Sequence, residues 1–181
     1  MHAPALDAAL ACVRVGQQDF DLSTEVAQLR AGDAGVGAVV SFVGTVREWR
    51  DLAQGDQFDA TTSAPSVMEL EHYPGMTERS IAELIVLARQ RFEVRGIRVI
   101  HRVGPLAVSD QIVLVAVTSA HRGQAFQCAE FLMDWLKTQA PFWKKESSGG
   151  QSRWVDARSV DDEAAARWGG LPARNAGSTP S

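Results

Sequence analysis

The sequence predicts one globular domain in which helices and strands are mixed, and three observations carry that expectation. Two segments, residues 39–46 (VVSFVGTV) and 111–118 (QIVLVAVT), are β-branched and nearly continuously apolar, the pattern of strands buried on both faces. Two others repeat apolar residues at helical spacing: Ile81, Leu84, Ile85, Ala88 and Phe92 in one, Ala125, Cys128, Ala129, Leu132 and Leu136 in the other. A chain of 181 residues with 45% hydrophobic content is long enough for one full core.

In chain order, residues 1–10 carry no strong pattern and read as loose, and residues 12–15 suggest a short edge strand. Ser23 or Thr24 is placed to cap a short helix through Val26 and Leu29, stopped near Gly32, and a glycine-rich turn follows at 33–37. The strand at 39–46 ends on Arg47, a charge that either enters a pocket or stays solvated. Residues 51–66, polar and aperiodic, exceed most connections in length and read as a mobile loop, either a lid beside Arg47 or an insertion without a role. Residues 67–72 alternate as a strand closed by a Tyr73-Pro74-Gly75 turn. The helix from Thr77 keeps Glu78, Arg79, Glu83, Arg89 and Arg91 outside, and Gly96 breaks it. Residues 97–103 form a strand and Gly104-Pro105 a turn. One of His101 and Arg102 should point inward, with His101 either a hydrogen-bonded structural histidine or a catalytic one.

The stretch at 118–146 (TSAHRGQAFQCAEFLMDWLKTQAPFWKKE) concentrates the chemistry. Thr118 or Ser119 can cap its helix, and Pro141 ends the helical run. His121 and Arg122 then stand in the first turn, where free N–H groups and the helix dipole favour an anion. Of 18 basic residues only Lys137, Lys144 and Lys145 are lysines. Arginine stays protonated in proteins, whereas a lysine amine can exchange a proton or attack a carbonyl. The alternative is a helix end decorated with cations that suit the dipole. Beyond it, residues 147–152 read as a glycine-serine turn, 153–157 as a short strand, Ser159 with Asp162 as a capping box, and 169–181 as a disordered tail.

Composition and missing motifs narrow the classes. A net charge of -4 and pI near 5.5 argue against general nucleic-acid binding, so a local basic pocket suggests a small anionic ligand. The first residues lack the positive leader of a signal peptide, and no run approaches the ~20 apolar residues of a membrane span. A cytoplasmic protein is expected. Cys12 and Cys128 are isolated, and the four histidines show no metal-ligand spacing. GxGxxG, GxxxxGK[ST], HExxH and GxSxG are all missing. What remains is a set of cations: Arg47, His121, Arg122, Lys137 and Lys144.

The segments VVSFVGTVR, LEHYPGM, VIHRVG, VTSAHR, FLMDWLKTQAPFWKKE and RWVDAR, in that order, closely resemble the large, catalytic subunit of molybdopterin synthase. The resemblance spans residues 36–168, within a single domain at 1–168 followed by the tail. It implies an α+β fold of the α/β-hammerhead type, with mixed or antiparallel sheets and packed helices. It also implies a homodimer, each copy binding a small ubiquitin-like sulfur carrier whose Gly-Gly C-terminal thiocarboxylate threads into a pocket. The implied reaction converts cyclic pyranopterin monophosphate to molybdopterin by two sulfur transfers, with no cofactor required. By the same match Lys137 and Lys144 are catalytic, and with Arg47, His121 and Arg122 they bind substrate. Phe42 and Met133 are pocket neighbours, read here mostly as core. The loop between Arg47 and Glu69 looks longer than is usual in the family. Two other classes stay open: a module that binds a ubiquitin-like tail without catalysis, and a small-anion binding protein.

Overall fold

The computed structural model describes residues 3–47, 67–139, 141–148, 151–155 and 168, with backbone alone at residues 3, 67, 139, 144–148 and 151–155. In chain order these form α1 (Ala3–Leu10), β1 (Val13–Gly16), α2 (Leu22–Arg30), β2 (Ala38–Thr45), β3 (Val67–His72), α3 (Met76–Arg91), β4 (Gly96–Arg102), β5 (Gly104–Ala107), β6 (Gln111–Ser119), α4 (Arg122–Gln139), β7 (Phe142–Ser148) and β8 (Gln151–Val155). The strands make two four-stranded sheets, ordered β1-β4-β6-β2 and β5-β3-β7-β8. In the first, β1 runs parallel to β4 and the other pairs are antiparallel; the second is antiparallel throughout. The class is α+β, as the resemblance implies.

Strand β6 lies inside the first sheet, and its alternation assigns its neighbours. Val113, Val115 and Val117 join Ile81 and Ile85 of α3 and Ala125 and Leu132 of α4 in the main cluster. Leu114 and Ala116 face the other way, with Phe20 and Ile100, against Leu22, Val26 and Leu29. Helices cover both faces, so a continuous apolar run is what this strand needs. The same expectation fails for β2. It is an edge strand, and Ser41, Phe42 and Thr45 are exposed. An apolar run alone does not separate a central strand from an edge strand whose two faces are each covered only in part, here at Val40 and Val43. The smaller second sheet gathers Met68, Leu70, Leu106 and Val46 into its own cluster.

Several local expectations are corrected. Residues 3–10 are not loose: α1 buries Ala9, with Leu6 and Leu10 packed on the main cluster, a helical pattern too short to stand out. The cap of α2 is Asp21, whose carboxylate accepts the Thr24 N–H at 2.7 Å, rather than Ser23 or Thr24. After Gly104 (φ 81°) the chain does not simply turn but continues as β5 along β3. The basic-aromatic stretch after Pro141 is strand β7, and the last strand starts at Gln151 rather than Arg153. The expected loop at 51–66, the capping box at Ser159 and Asp162, and the tail at 169–181 lie outside the described residues. Among the described residues no helix is long and apolar enough to cross a membrane.

His101 is the inward member of its pair. Its ring stacks on Phe142, centroids 3.8 Å apart and planes 17° from parallel, and Nδ1 lies 2.9 Å from the Arg102 carbonyl oxygen. Burial pushes its pKa down from 6.5 to about 4. The unfolded chain therefore binds the extra proton between those values, and stability falls as pH drops through that window, by about 3 kcal/mol at most. Urea melts of the wild type and His101→Phe across this range should show a smaller acid-side loss in the variant. Equal losses would place the acid sensitivity in other groups.

Candidate active site

Strand β6 ends at Ser119 and α4 begins at Arg122, so the chain reverses at once and α4 runs back over β6 and β2. The buried Ser119 hydroxyl donates to the Glu93 carbonyl at 2.7 Å and accepts the His121 N–H at 3.2 Å. The His121 carbonyl accepts the Ala125 N–H at 3.4 Å, which makes His121 the N-cap residue and Arg122 the first of the helix. The expected cap by Thr118 or Ser119 is displaced accordingly. Ser119 braces the residue before the helix, while Thr118 Oγ1 is buried with no hydrogen-bond partner among the described residues. Gln124 ties the same corner to the chain after α3 by accepting the Glu93 N–H at 2.9 Å.

Beside this corner an open depression of about 420 Å³ is lined by Gly37, Ala120, His121, Arg122 and Gly123. The Gly37 N–H donates to the Ser119 carbonyl at 3.0 Å, and a Cβ at Gly37 would collide with the Ala120 carbonyl oxygen. This wall requires glycine because two backbones meet there. The turn leading to it is clamped by Arg95, whose guanidinium donates to both Asp33 carboxylate oxygens at 2.6 and 2.7 Å and holds that carboxyl below its usual range. First-turn N–H groups have no intrahelical partners, and the dipole adds partial positive charge beside the exposed His121 and Arg122. The corner is suited to an anion.

Helix α4 also separates the candidate residues. Lys137, exposed in the last turn, lies about 22 Å along the axis from Arg122, at ~1.5 Å per residue. Strand register gives the same division, because Ala38 faces Ser119 while Thr45 faces Gln111 at the opposite end of β6. Arg47, exposed just beyond β2, therefore belongs to the Lys137 end. Strand β7 follows α4 and sets the Lys144 backbone beside Leu70 of β3; the Lys144 side chain lies outside the described residues. Arg47, Lys137 and the start of β7 thus share one end, and His121 with Arg122 occupies the other.

The remaining sequence candidates divide. Met133 packs on the main cluster, as expected. Phe42 does not belong to the core: it is 41% exposed on the edge strand, and its ring overlies Gly44. Burial pushes the Cys128 thiol up to about 12, which leaves it inert as a nucleophile and matches its reading as a small core residue. Among the described residues no group of three or more His, Cys, Asp or Glu could hold a metal ion. Thr77, fully buried, contacts the chain next to the lysines and was not singled out by sequence, since its partner lies 64 positions away.

Together these features define an α+β protein with cationic sites at both ends of one helix, suited to an anionic ligand. The MoaE protein family model matches residues 15–139, and the chain belongs to that family. It is 54% identical over 157 residues to the molybdopterin synthase catalytic subunit of Ralstonia nicotianae, covering 87% of this chain and 84% of that one. Molybdopterin cofactor biosynthesis protein E from Burkholderia multivorans has a solved structure that superposes with a TM-score of 0.69 at 52% identity, covering 87% and 95% of the two chains. Molybdopterin synthase from Staphylococcus aureus superposes with a TM-score of 0.67 at 28% identity, covering 79% and 96%. The chain is accordingly an enzyme subunit of the molybdopterin synthase class, with a role in molybdenum-cofactor biosynthesis.

Gly37→Ala tests the wall of the depression. Overpacking of this kind costs about 1–3 kcal/mol, so the melting temperature should fall by roughly 3–10 °C, and affinity for a phosphate-bearing ligand should fall with it. An unchanged melting curve and affinity would mean that the backbone contact relaxes without consequence.

Proposed function

We propose that the protein transfers sulfur from the thiocarboxylated C-terminus of a small ubiquitin-like carrier subunit to cyclic pyranopterin monophosphate, building the dithiolene of molybdopterin. In each transfer the thiocarboxylate sulfur bonds to a pyranopterin carbon as that carbon gives up an oxygen substituent, which leaves as water or as the freed oxygen of the opened cyclic phosphate. Water then attacks the acyl carbon, the acyl C–S bond breaks, and the carrier leaves as a carboxylate. Lys137 and Lys144 serve this step either by donating and accepting protons or by stabilising the acyl oxyanion with their charge. Arg122 and His121, at the helix start, bind the cyclic phosphate, with Arg47 supplying further charge at the lysine end. The name of the Ralstonia relative, catalytic subunit, supports a separate partner subunit. A cytoplasmic location fits this chemistry.

The observation that carries the reading furthest is the length of α4. A single small substrate cannot touch Arg122 and Lys137 of one chain across about 22 Å. A homodimer resolves this if it sets the α4 start of one copy against the α4 end of the other, since a two-fold axis then makes two equivalent composite sites. The exposed edge of β2, with Phe42, offers a surface between copies.

Reconstitution with thiocarboxylated carrier and cyclic pyranopterin monophosphate tests both parts. Lys137→Ala should fold normally and lose roughly 100-fold or more in rate. Arg122→Ala should act mainly by raising KM. At substrate concentrations far below the raised KM of Arg122→Ala, where each variant alone is nearly inactive, co-expressing the two should restore about a quarter of wild-type activity, because half of the dimers are mixed and each holds one intact composite site. No restoration would exclude composite sites. Carrier binding without product in the wild type would instead favour a non-catalytic binding module.

A further inference from the structure

We propose that Thr77 and His101 are positioning residues that set the relative placement of the two active-site lysines; this rests on the sulfur-transfer reading above. Lys137 stands in the last turn of α4 and Lys144 on β7, and the chain between them passes through a single corner at Pro141 and Phe142. The corner cannot be secured by helix continuation. Pro141 has no N–H to donate, and the last carbonyls of a helix lack intrahelical partners.

Two contacts from distant parts of the chain secure it instead. The Thr77 hydroxyl donates to the Pro141 carbonyl at 3.2 Å and accepts the Tyr73 N–H at 3.1 Å. Thr77 is fully buried in the first turn of α3, so its hydroxyl reaches no bulk water and both bonds have full weight. One residue on, the Phe142 ring lies flat on the His101 ring at 3.8 Å. His101 belongs to β4, in the first sheet, whereas Phe142 opens β7 opposite His72 in the second. The corner is thus pinned to α3 by its carbonyl and to the first sheet by its aromatic ring. Release of either pin lets β7 shift against α4, and the separation of the lysine-bearing backbones shifts with it. Neither residue needs to approach the substrate. A displacement of about 1 Å in such a constellation costs on the order of 100-fold in rate.

The experiment is steady-state reconstitution with thiocarboxylated carrier, comparing wild type, Thr77→Val, Thr77→Ser, His101→Ala, His101→Phe and Lys137→Ala. Melting temperature and carrier affinity are measured for each, and assays are run well below the lowest melting point. Thr77→Val keeps the buried shape and removes the hydroxyl; its kcat should fall roughly 10- to 100-fold with KM and carrier affinity near wild type, because the phosphate-binding helix start is untouched. Thr77→Ser, which restores the hydroxyl, should recover most of the rate. His101→Phe, which keeps a flat ring on Phe142, should retain more kcat than His101→Ala. Unchanged kcat in Thr77→Val and His101→Ala, beside an inactive Lys137→Ala, would overturn the positioning role. So would a parallel fall of kcat, carrier affinity and melting temperature that Thr77→Ser does not rescue, since that marks general destabilisation. Absence of product in the wild type would refute the sulfur-transfer reading itself, a different failure.

Discussion

Burial of β6 on both faces is the constraint on which the remaining structure depends. Val115 has to meet α3 and α4 while Leu114, its neighbour, has to meet α2, so helices must cover both sides of the first sheet. Strand β6 lies between β4 and β2, which satisfy its backbone hydrogen bonds on both sides. The immediate reversal from Ser119 into Arg122 then lays α4 back over the same sheet, antiparallel to β6. That reversal places His121, Arg122, Met133 and Lys137, while β2 places Phe42 and Arg47 and β7 the Lys144 backbone.

Helix α4 acts as a ruler as well as a core element. Its apolar face locks Ala125, Cys128 and Leu132 into the main cluster, and Arg122 and Lys137 lie about 22 Å apart along its axis. One end carries the His121–Arg122 corner, braced by Ser119, Gln124 and Gly37. The other carries Lys137 and leads into β7. One small substrate cannot bridge that separation within a single chain.

The second sheet has a supporting part. Among the described residues Met68, Leu70, Leu106 and Val46 form its core. The stacking of His101 on Phe142 and the bond from Thr77 to Pro141 cross that junction at the point where α4 becomes β7. Buried polar groups with complete partners give such a junction one geometry rather than several.

Helical periodicity determined the existence of α3 and α4 and the core assignment of Cys128, a continuous β-branched apolar run that of β6, and capping hydroxyls placed His121 and Arg122 at a helix start. These depend on spacings of two to four residues, which neighbouring side chains carry on their own. Segment resemblance identified the family. Tertiary structure decided the rest. Phe42 is exposed on the edge strand β2, and an apolar run does not state how far along each face the cover extends. Asp21 displaced two hydroxyl residues as a cap because backbone geometry, not residue type, selects among adjacent candidates. The basic-aromatic stretch became β7 because β3, some seventy positions earlier, supplies its hydrogen bonds. The division of the cations between two ends of α4, and the long-range contacts of Thr77 and His101, arise from chain reversal and sheet packing. Local sequence patterns carry no record of either.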